Sequence, residues 1–472
     1  MMWYHRKIYF WSLVVALLFL FTRLYRIEES LLFFNDIGRD FLVLWRWQET
    51  GKPPLLGPQT SALPFNQSAV YFYLLYPLYW LSDGSFLSSL WTYLLLYLLS
   101  FGLGLYWLRR YPRLQQSLAL VFLLITVHPQ HIIQGRVIWN PSLLTPAVLA
   151  AVYSLLVYLQ FESKRWWLLL LAGASLALAV SFSYSAAPLL LAAALYLLIR
   201  HWRVGLQFSA GAAIGGLVFN LPTLAFELRH EFLLTQMMLA GDRGVVHAQS
   251  LLERATRLLQ FGFETQPAWG LAILGVLVLF SYLSWRNKRS PALRQVSILL
   301  LLTTLITLLL PFSLHSHYIF PLLSLLFVLI SLFEPKYIWT MAICCYVIWL
   351  QAALRFDYFA AARQPYQVLD SCAQEFCAKQ TAPLFVSNQS RHHPYHDAME
   401  WQYLLRKNGC QVRDLYAEAD AAAQMAVVLD DAEYVHGETA YHELTLLGEA
   451  EEKERFECGE RLEVVVLEKY RK

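Results

Sequence analysis

Eleven stretches of this chain are too apolar to rest in water and too numerous to form one core. They are Ile8–Tyr25 and residues 85–108, 115–127, 142–160, 166–181, 184–199, 206–225, 268–285, 295–311, 317–333 and 336–354. In a hydrocarbon layer every backbone amide must find its partner within the chain, so such runs can only be helices or closed barrels. Runs of this length predict helices, although several fall short of the roughly 20 residues that cross a bilayer upright. Composition agrees: the 472 residues are 57% hydrophobic, 15% aromatic and 15% charged, with a mean hydropathy of +0.42. Soluble domains carry about 25% charged residues. The expected fold class is mostly α, a polytopic membrane protein with about 11 transmembrane helices. Disorder, a coiled coil and an ordinary cytosolic enzyme are excluded. A net charge of +3 with no Lys/Arg-rich domain speaks against a nucleic-acid partner.

Charge divides the chain in two. From Arg355 to the end there are 13 basic and 21 acidic residues, leaving 24 basic and 13 acidic in the first 354. This predicts a membrane domain over 1–354 and a soluble domain over 355–472. Short basic loops fix an orientation by the positive-inside rule. With the N-terminus inside, the inside loops are Arg109–Arg113, Glu162–Arg165, Arg200–Arg203, Arg286–Arg294 and Glu334–Lys336, and each of these carries Lys or Arg. The N-terminus is then cytoplasmic and the acidic tail extracytoplasmic, in a plasma or inner membrane. Ile8–Tyr25 has no small-residue cleavage site after it and reads as a retained helix. Ser68–Leu81 is apolar and aromatic but only 14 residues long, which suits an interfacial or re-entrant helix.

The tail alternates helix-like runs (Pro365–Ala378, Ala398–Asn408) with strand-like runs (Pro383–Val386, Met425–Leu429, Leu462–Leu467), a small α/β unit. Its four cysteines, Cys372, Cys377, Cys410 and Cys458, suit two disulfides in an oxidising compartment. Spacing does not fix the pairing; Cys372–Cys377 with Cys410–Cys458 is one expectation.

In a bilayer protein, chemistry gathers where polar residues resist the hydropathy. Three such segments fall outside. In the first loop, Asp36 and Asp40 stand four apart and share a helix face, with Arg39 and Arg46 beside them. Two carboxylates at the outer membrane face can supply a general base and a positioning group. A solvated amphipathic helix laced by Asp–Arg pairs is the competing reading, and the spacing alone favours it. In the second loop, His128–Pro141, Arg136 can bind phosphate and Asn140 can orient a hydroxyl. His128 and His131 could ligate a metal, although a lone His pair is more often an interfacial anchor. The third segment, Phe226–Trp269, contributes Arg243, and further on His315, His317 and Tyr318 mark the outer end of a helix. The Arg391–Asp397 turn holds three histidines and an aspartate in no zinc spacing. Asn66 and Asn388 begin N-x-S triplets, which arise readily by chance.

Four stretches carry a resemblance: FNDIGRDF after the first helix, GKPPLLGPQTS followed by AVYFYLLYPLYWL, GRVIWNPSLLTP, and HYIFPLLSLL. Together they resemble the GT-C superfamily of integral membrane glycosyltransferases, which use polyprenyl-phosphate sugars. The nearest types are the protein O-mannosyltransferases and the lipid A aminoarabinose transferases. The resemblance implies a catalytic membrane domain, interfacial helices in the first outside loop and an appended outside domain. It places Asp36 as the catalytic carboxylate, with Ile37 where many relatives carry Glu and Asp40 taking part of that role. Asn140 stands before Pro141 where relatives often carry a second acid. Phe65, Asn66 and Gln67 stand where many relatives carry a phosphate-binding Lys, so phosphate contact falls to Arg136, Arg243, His315 or His317. The implied partners are a polyprenyl-phosphate sugar donor, a protein, glycolipid or glycan acceptor, and the bilayer. No cofactor is certain, and a divalent metal is left open. The rival readings are an O-antigen ligase-like transferase using a diphosphate-linked glycan, and a non-catalytic lipid or polysaccharide transporter. The near absence of charge within the spans argues against the transporter.

Overall fold

The computed structural model describes residues 2–60, 66–137, 139–160, 165–239, 249–263, 282, 291–310, 314–333, 359–390, 397–418, 420–431, 442–459 and 461–470. The chain divides into two compact units. One comprises Met1–Tyr25, Pro54–Leu78 and Leu87–Tyr358; the other comprises Arg26–Pro53, Tyr79–Phe86 and Phe359–Lys472.

The first unit is helical. Among the described residues, three helices are long and apolar enough to cross a membrane: Leu87–Arg110, Asn140–Gln160 and Pro291–Leu309. Trp202–Phe219 and Leu221–Arg229, bent by 61° at Asn220, make a fourth if they are one broken span. Ile8–Leu24, Val70–Leu81, Pro112–Val127, Trp167–Phe182, Tyr184–Arg200 and Ser316–Ser331 are apolar but shorter. Full-length spans among the described residues therefore number three or four, and the other expected runs that are described form shorter helices. The apolar runs are helical, but they stop early where the chain turns, as at His128 and Ser183, which leave the helix for extended backbone. The expected spans at 268–285 and 336–354 lie outside the described residues, Tyr282 apart. Ser68–Leu81 forms the 12-residue helix Val70–Leu81.

Lipid offers helices no hydrophobic drive to associate, so close packing of small residues and interhelical hydrogen bonds hold the unit together. Gly211 and Gly215 lie one turn apart on Trp202–Phe219 and meet Trp167–Phe182. A Cβ on Gly211 would overlap Leu170, and one on Gly215 would come within 2.7 Å of the Ala174 Cα. Gly173 answers from the facing helix, against the Phe208 carbonyl. Elsewhere the Ser117 hydroxyl joins three helices, 2.8 Å from the Tyr153 hydroxyl and 2.5 Å from that of Ser331.

The second unit holds a four-stranded sheet of order β1-β2-β4-β3. The strands are β1 (Leu384–Ser390), β2 (Gln424–Asp430), β3 (Ala450–Gly459) and β4 (Leu462–Lys469). β1 and β2 run parallel, and the other pairs are antiparallel. β2 is buried along its whole length, and Phe385, Met425, Val427, Val465 and Leu467 form the core. The expected helices and three strands appear within a few residues of their limits, as Tyr366–Lys379, Met399–Lys407, β1, β2 and β4. β3 was not expected. Its sequence, AEEKERFECG, is charged because it lies exposed at the edge of the sheet, where charge discourages pairing with another chain.

The disulfides join Cys372 to Cys458 and Cys377 to Cys410, with Cα separations of 5.1 and 5.2 Å. The expected Cys372–Cys377 pairing is corrected. Both residues lie on the helix Tyr366–Lys379, where positions five apart are about 8–9 Å apart, beyond the reach of a bridge.

The helix of the first loop, Asn35–Thr50, packs in this same unit. It begins at a point where Asn35 Oδ1 accepts from the Met399 amide at 2.9 Å, capping the helix Met399–Lys407. Phe33, Phe41, Phe86, Tyr366 and Tyr403 interlock around it, edge to face or tilted, with ring centroids 4.9 to 6.2 Å apart. The Tyr403 hydroxyl donates to the Gly84 carbonyl at 2.9 Å.

Candidate functional site

The candidate residues fall into two groups, one in each unit. In the second unit, Asp36, Arg39 and Asp40 lie in the opening turns of Asn35–Thr50. An acid in the first turn suits the helix dipole. Arg39 bridges both acids, at 3.2 Å to Asp36 Oδ1 and 2.9 Å to Asp40 Oδ1. The two carboxylates differ in exposure: the Asp36 side chain is 32% exposed and that of Asp40 only 2%. Burial pushes the Asp40 carboxyl up to about 6, while the Arg39 charge pulls the other way. Asp36 is thus a carboxylate that a substrate can reach, held by an arginine whose other anchor is a buried acid.

The helix beneath carries a group that sequence reasoning missed. Glu400 is buried, and its Oε1 accepts from Asn388 Nδ2 at 3.1 Å. Its Oε2 has no partner among the described residues. Desolvation, reinforced by Asp397 and Asp430, pushes its carboxyl up to about 8. No signal marks it in the sequence, because an acid on an amphipathic helix ordinarily faces water.

The first unit holds the second group. Arg136 donates to the carbonyls of Thr22 and Arg23 at 3.3 and 3.2 Å, capping the end of the first helix. Burial lowers its guanidinium to about 10, so it remains cationic at neutral pH. Asn140 Nδ2 donates to the Phe182 carbonyl at 2.6 Å and closes the end of Trp167–Phe182. His317 packs on Trp139 with ring centroids 4.6 Å apart. His315 and Tyr318 lie within 5.8 Å of it, also centroid to centroid. The structure therefore joins the second loop to the His315–Tyr318 segment. Arg243 lies outside the described residues.

Arg23 was also missed. It is fully buried and donates to the carbonyls of Ile125, Thr126 and His131 at 2.9, 2.7 and 3.1 Å. The available signal was a cation in the last turn of an apolar run, LLFLFTRLYR, where hydropathy alone would refuse it.

His128 and His131 pack against Phe327, and burial holds the His131 imidazole well below its usual range. Among the described residues no group of three His, Cys, Asp or Glu side chains is arranged to hold a metal ion. Asp36 and Asp40 each give their Oδ1 to Arg39. Residues 391–396 of the histidine-rich turn lie outside the described residues.

The arrangement is a unit of apolar helices and a second unit that unites the first loop with a small α/β sheet. The family model of dolichyl-phosphate-mannose-protein mannosyltransferases matches residues 61–218. The fold matches ArnT from Cupriavidus metallidurans over nearly the whole of both chains. The apo ArnT structure is 12% identical, covers 98% of this chain and 97% of that one, and gives a TM-score of 0.65. ArnT bound to undecaprenyl phosphate is 13% identical, covers 98% of each chain and gives 0.63. No curated protein matches the sequence. The resemblance read from the sequence therefore rests on two further likenesses, one of sequence and one of fold.

Proposed function

We propose that this protein is a glycosyltransferase that moves a sugar from a polyprenyl-phosphate-linked donor to an acceptor at the outer face of the membrane. The single observation that carries the reading is the half-buried but accessible Asp36 carboxylate, clamped by Arg39 over the buried Asp40. The likeness to ArnT supports it, since one ArnT structure is bound to undecaprenyl phosphate and that ligand class suits an apolar helical unit. The match to mannosyltransferases over 61–218 supports sugar transfer.

In this reading Asp36 accepts the proton of the acceptor hydroxyl as its oxygen attacks the anomeric carbon. The bond from that carbon to the phosphate oxygen breaks, and polyprenyl phosphate leaves. A single displacement inverts the anomeric configuration. Arg39 orients Asp36, and Asp40 anchors Arg39. Arg136, Arg243, His315, His317 and Tyr318 meet the departing phosphate, and Asn140 orients a hydroxyl. No step is routed through a metal. The full chain carries about eleven spans, with the N-terminus inside and residues 355–472 outside. A lipid-linked donor suits that side, where nucleotide sugars are absent.

The test compares wild type with Asp36→Asn in a strain lacking the gene, by mass spectrometry of lipid-linked sugars and envelope glycans. Accumulation of one polyprenyl-phosphate sugar with loss of one glycan modification is the expected result, and the accumulated mass names the sugar. Wild-type behaviour of the variant would return Asp36 to the role of a solvated surface acid and favour the ligase-like reading.

A further inference from the structure

We infer that a cavity of about 190 Å³ in the second unit, beside the Asp36–Arg39 pair, seats one uncharged sugar ring of the acceptor. The inference rests on the glycosyltransferase reading and names the substrate class of that site. Three arginines line the cavity (Arg39, Arg46 and Arg413), and three carboxylates face them (Asp397, Asp414 and Glu443). The lining carries equal numbers of both signs, so it singles out neither a phosphate nor a cation. What it offers is alternating donors and acceptors around a small space, which is the chemistry of hydroxyl recognition.

Part of this set is already engaged. Arg39 is held by Asp36 and Asp40, and Glu443 accepts from the Tyr416 hydroxyl at 2.6 Å. Asp414 Oδ1 accepts from the amides of Tyr416 and Ala417 at 3.0 and 3.2 Å. Asp397 Oδ1 is buried without a partner among the described residues, and Arg46 makes no ion pair among them. Tyr416, 59% exposed, presents a ring on which the C–H face of a sugar can stack. Ligand sites for drug-sized molecules run from about 300 to 1,000 Å³, so this cavity fits one ring and not an oligosaccharide. Arg39 both lines the cavity and holds Asp36, so a ring seated there lies one residue away from the carboxylate that takes its proton.

The experiment uses the full-length protein in lipid nanodiscs and saturation-transfer NMR. The probes are methyl glycosides of neutral hexoses and N-acetylhexosamines, with methyl glucuronide and glycerol phosphate as anionic counterparts. At least one neutral glycoside is expected to receive saturation. Asp414→Asn and Arg46→Gln are expected to weaken its binding tenfold or more, whereas Asp36→Asn still binds it. Arg46 is exposed, so its variant folds even if that at Asp414 does not. Octyl glycosides of the same sugars separate the sources: tighter binding than the methyl forms assigns a glycolipid acceptor, and equal binding a soluble glycan. Failure of every neutral probe, preference for an anionic one, or wild-type binding by both cavity variants would overturn the inference. Transfer by Asp36→Asn with intact cavity binding would instead overturn the catalytic reading alone.

Discussion

Gly38 of the first-loop helix lies directly on the backbone of Glu400. A Cβ at position 38 would overlap the Glu400 Cα and backbone nitrogen and come within 2.8 Å of its Cβ. No side chain there can be relieved by a rotamer change, because the obstacle is backbone. Gly38→Val is therefore expected to lift this helix from Met399–Lys407. Overpacking of this kind costs about 1–3 kcal/mol. Asp36 and Asp40 flank Gly38, so sugar transfer should fall more steeply than stability does. Thermal unfolding in detergent, read beside transfer activity, checks both.

Glu400 makes the stability of this unit depend on pH. Burial raises its native carboxyl from 4.5 to about 8, so between those values the folded state holds a proton that the unfolded chain releases. Stability is then full below about pH 4.5 and is lost as pH rises through 8. The shift sets a ceiling of about 5 kcal/mol at 1.36 kcal/mol per unit, and relaxation will bring it lower. Glu400→Gln keeps an acceptor for Asn388 and cannot ionise. The variant should match wild type near pH 4, pull ahead of it between 4.5 and 8, and exceed it most at pH 9, measured as thermal midpoint against pH.

Asp40 gives the opposite dissociation, of activity from stability. Below about pH 6 it takes a proton, and Arg39 loses the charge of one of its two anchors. Transfer should decline as pH falls through 6. Its native carboxyl lies above the ordinary value, so protonation favours the fold, and stability should not decline in the same window. Asp40→Asn should lower kcat throughout and erase the inflection near 6 in kcat/KM. An inflection that survives in the variant would assign it elsewhere.

The helical body and the α/β tail were legible because each depends on local pattern: apolar runs for helices, and alternation or β-branched runs for β1, β2 and β4. That Asp36, Arg39 and Asp40 share one helix was legible because the two acids stand four residues apart. The docking of that helix on Met399–Lys407 was not. That contact depends on Gly38 and on a cluster of rings, Phe33, Phe41, Phe86 and Tyr403, drawn from segments more than 300 residues apart. Nothing in the local spacing of a glycine tells what will approach it. β3 escaped for the converse reason, since an exposed edge strand is made of the residues that usually mark a loop or a helix surface.

The two disulfides close loops across the tail, with sequence separations of 86 and 33 residues. Removing such a bridge typically costs about 2–5 kcal/mol. Cys372→Ser and Cys377→Ser should each lower the thermal midpoint, and dithiothreitol should bring wild type down to the level of the double variant. The bridges also test orientation. In cells unable to oxidise extracytoplasmic thiols, the tail should accumulate as protease-sensitive protein. Unchanged yield and protease resistance there would place the tail on the reducing side of the membrane.

Arg23 answers to a different physics. It donates to three carbonyls that close the helix Pro112–Val127 and the turn after it, and its guanidinium lies 4.3 Å from the Phe19 ring centroid. Each buried acceptor left unpaired costs about 1–3 kcal/mol. Arg23→Met, similar in length and apolar, should therefore destabilise the helical unit by several kcal/mol despite its better hydropathy. Lysine offers a point charge in place of a planar fork and cannot span carbonyls from Ile125 to His131 at once, so Arg23→Lys should recover less than half of the loss. The check is the half-life of the folded protein in detergent at fixed temperature. A methionine variant as long-lived as wild type would show that Arg23 is merely tolerated, and that the carbonyls it meets find water instead.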